Sequence, residues 1–158
     1  MVALPSCLPT CLRCIALRLQ FSYSDLVVSP TVAADPCAES VVTVLVTNIG
    51  TTHSGAEVAQ LYIQPSSSSS SSSSSGVVQP KLIGFGKTPV LAPGASSPLS
   101  FIVTAEHRSV VSDYDHTQVV EPGSWELAVG GAQPGQGQTL RAKITNQGRG
   151  PLNKCVPM

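Results

Sequence analysis

Val119-Val120-Glu121-Pro122-Gly123-Ser124-Trp125-Glu126-Leu127-Ala128-Val129-Gly130-Gly131 decides the fold of this chain. A Pro-Gly dipeptide is a turn signal, and it is followed by strict alternation of Trp125, Leu127 and Val129 with Glu126 and Ala128. Successive side chains of a strand point to opposite faces, so this alternation describes a strand with one buried side. The same grammar occurs earlier, where Leu91-Ala92-Pro93-Gly94 precedes Leu99, Phe101 and Val103 at alternate positions. Repeated turn-then-alternation units predict an antiparallel β domain.

Outward from these two units, further strands are expected at 21–28, 41–47, 56–64, 81–85 and 139–145, beside those at 98–104 and 124–129. Pro30 stops the first, and Val42, Val44 and Val46 give the second its buried face. No segment shows a helical period. About seven short strands separated by Gly, Pro and Asn turns make the fold class all-β, an immunoglobulin or fibronectin type III-like sandwich of two antiparallel sheets. Trp125 is in phase with the core face, whereas Tyr62 is out of phase with Leu61 and Ile63 and belongs to the opposite face.

The organisation expected is an unstructured or signal-like leader over 1–19, a β domain over 20–145 and a flexible tail over 146–158. Pro5, Pro9, Arg13 and Arg18 interrupt the apolar run that a secretory signal requires. Ser66 to Ser75 is an unbroken serine tract, and with no apolar side chain to bury it reads as a disordered loop over 65–77.

At 158 residues the chain can bury a core, yet it is too short for a (β/α)₈ barrel, which takes about 250. Nine basic and nine acidic residues are scattered, so no phosphate-binding face and no nucleic-acid partner is expected. No apolar run reaches the roughly 20 residues of a membrane span. Only 11% of residues are charged, which suggests a surface that something else covers.

Candidate chemical sites are weak. Asp113, Asp115 and His116 crowd one polar loop, but nothing marks a cleft around them, and a solvated turn is the expected role. Cys7, Cys11 and Cys14 have the spacing of a thiolate triad for an iron–sulfur cluster, without the fold such a cluster needs. Cys37 and Cys155 complete the five cysteines, whose pairing is left open along with the redox compartment. His53, His107 and His116 fall in separate loops. No catalytic, cofactor-binding or metal-binding residue and no cofactor is therefore assigned.

Four blocks carry a family resemblance: Phe21-Ser22-Tyr23-Ser24-Asp25-Leu26; Val42 to Gly50 followed by Gly55 to Ile63; Pro80-Lys81-Leu82-Ile83-Gly84-Phe85-Gly86-Lys87 with Leu91 to Gly94; and Val120-Glu121-Pro122-Gly123 through Gly130. In order and spacing they resemble the fibronectin type III-like domain that closes glycoside hydrolase family 3 enzymes, the β-glucosidase and β-xylosidase group. The second block is similar to the family's V-x-V-T-N-x-G … G-x-E-V-x-Q-L-Y-V. Gln79 and Ala95 depart from the family's arginine and acidic residue, and the serine tract enlarges the loop after the third strand.

The resemblance implies an accessory domain that braces catalytic domains in cis. In that family both catalytic carboxylates lie in other domains, so the chain by itself is expected to hydrolyse no O-glycosyl bond. It also favours a secretory or extracellular location. The competing reading is a free-standing binding or adhesion module, since sandwiches host many functions. A fragmentary gene product without function is a third.

Overall fold

The computed structural model describes residues 19–66, 79–112 and 116–155. Leader residues 1–18, most of the serine tract, Asp113 and Asp115 lie outside them. The chain forms β1 (Phe21–Ser29), β2 (Val32–Ala33), β3 (Ser40–Asn48), β4 (Val58–Pro65), β5 (Lys81–Lys87), β6 (Ser96–Val103), β7 (Ser109–Val111), β8 (Gln118–Val120), β9 (Gly123–Gly130), β10 (Thr139–Asn146) and β11 (Gly150–Pro151). Three-residue 3₁₀ turns at Glu106–Arg108 and Leu152–Lys154 are the helical elements.

Two sheets face each other, one ordered β1-β3-β6 and the other β2-β10-β9-β4-β5. Alternation explains the core between them. Val42, Val44 and Val46 project from β3 toward Leu61 and Ile63 of β4, Leu127 and Val129 of β9 and Ile144 of β10. All are buried. Trp125 packs half-buried against this cluster, and Tyr62 lies on the opposite face of β4, both as the phase of the alternation requires. At the sides of the sandwich β1 packs on β10 and β5 on β6. In β5 the core-facing positions Gly84 and Gly86 carry no side chain because Phe101 fills that space, 3.3 Å from where a Gly84 Cβ would stand.

Two local devices set the strand paths. Asp25 takes a left-handed φ of 51° within a β-bulge between Ser24 and Val27, a conformation Asp tolerates better than most residues. After the cis Ser29–Pro30 bond the chain leaves the first sheet, and β2 runs parallel to β10 in the second. Pro93-Gly94 forms the expected reversal, with Gly94 at φ 78° and the Ala95 N–H donating to the Ala92 carbonyl at 2.9 Å. Pro122-Gly123 does something else. Gly123 already belongs to β9, so this dipeptide marks where the chain passes from one sheet to another.

Beyond 145, the residues described carry structure of their own. Asn146 is buried at the end of β10, β11 pairs with β8, and Leu152 is buried against Ala105 and Val120. Cys155 is joined to Cys37 by a disulfide across 118 positions of sequence. The stretch between the strands expected at 98–104 and 124–129 also holds β-structure, since β7 and β8 form a hairpin. These strands are two or three residues long, too short to show a period. With β11 they make a third small sheet, ordered β11-β8-β7.

Candidate docking face and buried arginine cradle

The two outer faces of the sandwich differ in charge. On the three-stranded sheet, outward residues align in cross-strand rows: Ser22, Thr47 and Ser96; Ser24, Leu45 and Pro98; Val27, Thr43 and Ser100; Ser29, Val41 and Ile102. None of these positions is charged. Val27 is 58% exposed, Ile102 55% and Val41 44%, so apolar surface is concentrated at one end. Hydroxyls along the face bond each other, Thr47 to Ser96 at 2.7 Å at the other end and Thr43 to Ser100 at 3.3 Å in the row of Val27. Beside the rows stands one carboxylate, that of exposed Asp25 in the β1 bulge, which accepts from Ser24 Oγ at 3.1 Å; the rows themselves spend their polar groups internally and lose little on being covered.

The outer face of the five-stranded sheet is ionic by contrast. Arg141 donates to Glu126 at 2.6 Å, Gln64 Nε2 donates to the other Glu126 oxygen at 2.9 Å, and Lys143 is the cross-strand partner of Glu126. The Arg141 hydrogen bond foremost, then that of Gln64, holds the Glu126 carboxyl below its usual range. Apolar exposure here lies at the two edges: Val32 of β2 is 47% exposed at one, and at the β4–β5 edge Phe85 is 75% exposed beside Leu82, between Lys81 and Lys87.

At the third sheet the fold buries a full cation. Arg108 is 0% exposed and makes no ion pair among the described residues. Its guanidinium is instead ringed by oxygens: Nε donates to the Thr104 carbonyl at 3.3 Å, Nη1 to Asn146 Oδ1 at 3.0 Å, and Nη2 to the Pro36 carbonyl at 3.4 Å and to the Ala38 carbonyl. Asn146 in turn donates through Nδ2 to the carbonyls of Glu121 at 2.7 Å and Gly148 at 2.8 Å. One side chain thus ties together the 36–38 loop, the end of β6 and the end of β10. The sequence reading missed it because Arg108 stands in an unpatterned polar stretch, and arginine is almost never fully buried.

Asn48 plays the same part at the other end of β3. It donates to the carbonyls of Leu91 at 2.9 Å and His53 at 3.0 Å and accepts from the Gly50 N–H at 2.9 Å. Its place in the Thr47-Asn48-Ile49-Gly50 turn is a legible signal of such a role. Tyr23 buries its phenol against Glu57 without closing a hydrogen bond of normal geometry. Burial first, and the Glu57 charge second, push that phenol far above the ordinary tyrosine range.

The sequence candidates do not converge. Cys7, Cys11, Cys14, Asp113 and Asp115 lie outside the described residues. His116 is exposed at the β7–β8 turn with φ 55°, and His53 is exposed in the loop after β3. Among the described residues no His, Cys, Asp and Glu group is arranged to hold a metal. No helix among them is long and apolar enough to cross a membrane. A hollow of about 170 Å³, lined by Cys37, Glu39, Thr104, Ala105, Glu106, Leu152 and Cys155, is well below the several hundred that small-molecule sites occupy.

The fold perturbs His107. Its Nδ1 accepts the Thr104 N–H at 3.2 Å, which requires the neutral ring. Burial first, then the positive charge of Lys81, lower its pKa; Glu106 opposes them, and Arg108 adds a smaller lowering. A depressed folded-state pKa means that its stability contribution is complete above the unfolded value of about 6.5 and is lost as pH falls through the folded one. Urea midpoints should therefore drop on acidification below about pH 6.5. His107→Asn, whose Oδ1 can replace Nδ1, should flatten that first part of the decline, and an unchanged slope would reject the assignment.

With this geometry in hand, comparison with known proteins is informative. Residues 57–133 match the fibronectin type III-like domain, a span that runs from before β4 to the end of β9. The chain carries a fibronectin type III-like domain. Solved structures containing a similar fold include the β-D-glucoside glucohydrolase of Trichoderma reesei, at 28% identity and a TM-score of 0.65 over 81% of this chain and 19% of that one. They also include β-glucosidase 3B of Thermotoga neapolitana in complex with α-D-glucose, at 26% identity and 0.63 over 84% of this chain and 17% of that one. The β-glucosidase EmGH1 of Erythrobacter marinus gives 25% and 0.63 over 81% and 15%. Comparison with curated proteins finds no match.

These matches bear out the resemblance to the C-terminal fibronectin type III-like domain of family 3 glycoside hydrolases. The chain spans less than a fifth of the length of these enzymes. In them the fibronectin type III-like domain is one part of a larger catalytic polypeptide.

Proposed function

We propose that this fibronectin type III-like domain is the accessory module of a β-glycosidase of family 3 and braces the catalytic domains through the uncharged rows on the outer face of β1, β3 and β6. The observation that carries this reading is the match of nearly the whole described chain to a minor portion of several β-glucosidases. The segregation of charge onto the opposite face supports the choice of surface. On this reading the isolated chain releases no nitrophenol from nitrophenyl β-glucosides or β-xylosides; release by the purified protein overturns it.

Grafting 19–155 onto the Trichoderma enzyme in place of its own domain tests the bracing role. The graft is expected to melt higher than the same enzyme with the domain removed. Val41→Lys with Ile102→Lys should abolish that gain while changing the isolated domain by no more than about 0.5 kcal/mol per site, as surface substitutions do. A graft indifferent to these changes but sensitive to Phe85→Lys would move the contact to the β4–β5 edge. No gain from any graft would favour a free-standing binding module.

A further inference from the structure

We propose that the Cys37–Cys155 disulfide is a thiol-sensitive clasp, and that its reduction frees the segment 147–155 from the body of the domain. Three observations carry this. The disulfide joins the last described residue to the loop whose Pro36 and Ala38 carbonyls receive Arg108, so it fastens the segment to the cradle itself. The segment's other anchors are short-range: the Gln147 N–H on the Ala33 carbonyl at 2.9 Å, Gly148 and Gly150 against Pro36, the two-residue strand β11, the Leu152 side chain in a small cluster with Ala105 and Val120, and the Gly148 carbonyl on Asn146. An exposed ion pair of Arg149 with Glu121 at 3.6 Å adds little. Finally, both cysteines are only half-buried and line the hollow beside Leu152, so a small thiol can reach their sulfurs.

The chemistry is thiol–disulfide exchange. A thiolate from a small-molecule thiol attacks one sulfur of the pair and forms a mixed disulfide as the other leaves as thiolate and takes up a proton. A second thiol resolves the mixed disulfide. Two thiols are oxidised to one external disulfide, and Cys37 and Cys155 are each left as a thiol. Setting the clasp requires an oxidising compartment such as the secretory pathway, and entry into a reducing one opens it.

The purified full chain is digested with trypsin in limited amount, before and after treatment with reduced glutathione or dithiothreitol. Cleavage after Arg149 reports local opening, and cleavage after Arg141 and Lys143 in β10 reports global unfolding. Reduction is expected to raise cleavage after Arg149 by roughly tenfold and leave the β10 sites unchanged. Cys155→Ser without reductant is expected to reproduce this, which separates the clasp from Cys7, Cys11 and Cys14. Equal cleavage after Arg149 with and without reductant overturns the proposal. So does a parallel rise at Arg141 and Lys143, or a peptide map pairing Cys37 or Cys155 with a leader cysteine.

Discussion

Arg108→Ala is expected to destabilise the domain by about 3–5 kcal/mol, the range seen when a buried polar network loses its central member. The magnitude follows from what the substitution leaves behind. The carbonyls of Thr104, Pro36 and Ala38 and the Asn146 amide oxygen all lose a donor that they receive at present. Each unpaired buried acceptor costs about 1–3 kcal/mol, reduced where water can enter the space vacated. Arg108→Met keeps the bulk and loses the donors, so it should fall close to alanine. Arg108→Lys keeps the charge, but a single ammonium cannot span three separated acceptor groups, and about half the loss should remain. Urea unfolding of the four proteins measures this. A loss below about 1 kcal/mol for Arg108→Ala would mean that the cradle is satisfied without its cation.

That a guanidinium is buried here with no carboxylate partner among the described residues has a structural logic. An ion pair binds two side chains, whereas a ring of carbonyls binds backbone. The planar, forked head of Arg108 fixes the paths of the 36–38 loop, the β6 end and the β10 end at once. Burial alone lowers its pKa.

The major strands were legible because each is long enough to show period two. Trp125, Leu127 and Val129 identify β9, and Val42, Val44 and Val46 identify β3 without any tertiary information. The short strands β2, β7, β8 and β11 were not legible. Val32–Ala33 and Gly150–Pro151 hold no alternation, and their pairing is decided by what lies beside them. The C-terminal segment was read as loose because Gly148, Gly150 and Pro151 break every local pattern, yet Leu152, Cys155 and the Arg108 cradle hold it from a distance. For the candidate face the sequence yielded a composition, 11% charge, and the structure turned it into a location. Charge is sparse everywhere but absent from the rows of the β1-β3-β6 face, and only the register of those strands brings Val27, Val41 and Ile102 together.

Leu61→Ala is expected to cost about 3–5 kcal/mol, in line with other fully buried leucines cut back to alanine. Leu61 is 0% exposed in β4, a strand paired on both sides, with β9 and with β5. Backbone pairing on both edges keeps the neighbouring strands from closing over the gap, so cavity cost adds to the lost transfer energy. The melting temperature should fall by roughly 10 °C. Phe85→Ala removes a larger side chain one strand away, yet at 75% exposure it has little packing to lose and should change stability by no more than about 0.5 kcal/mol. The contrast matters for function. If the apolar residues left outside, Phe85 as well as Val41 and Ile102, add nothing to the stability of the isolated domain, their hydrophobicity answers to something other than this fold. Large losses on their truncation would instead mean that the domain uses them for itself, and the docking face would lose its basis.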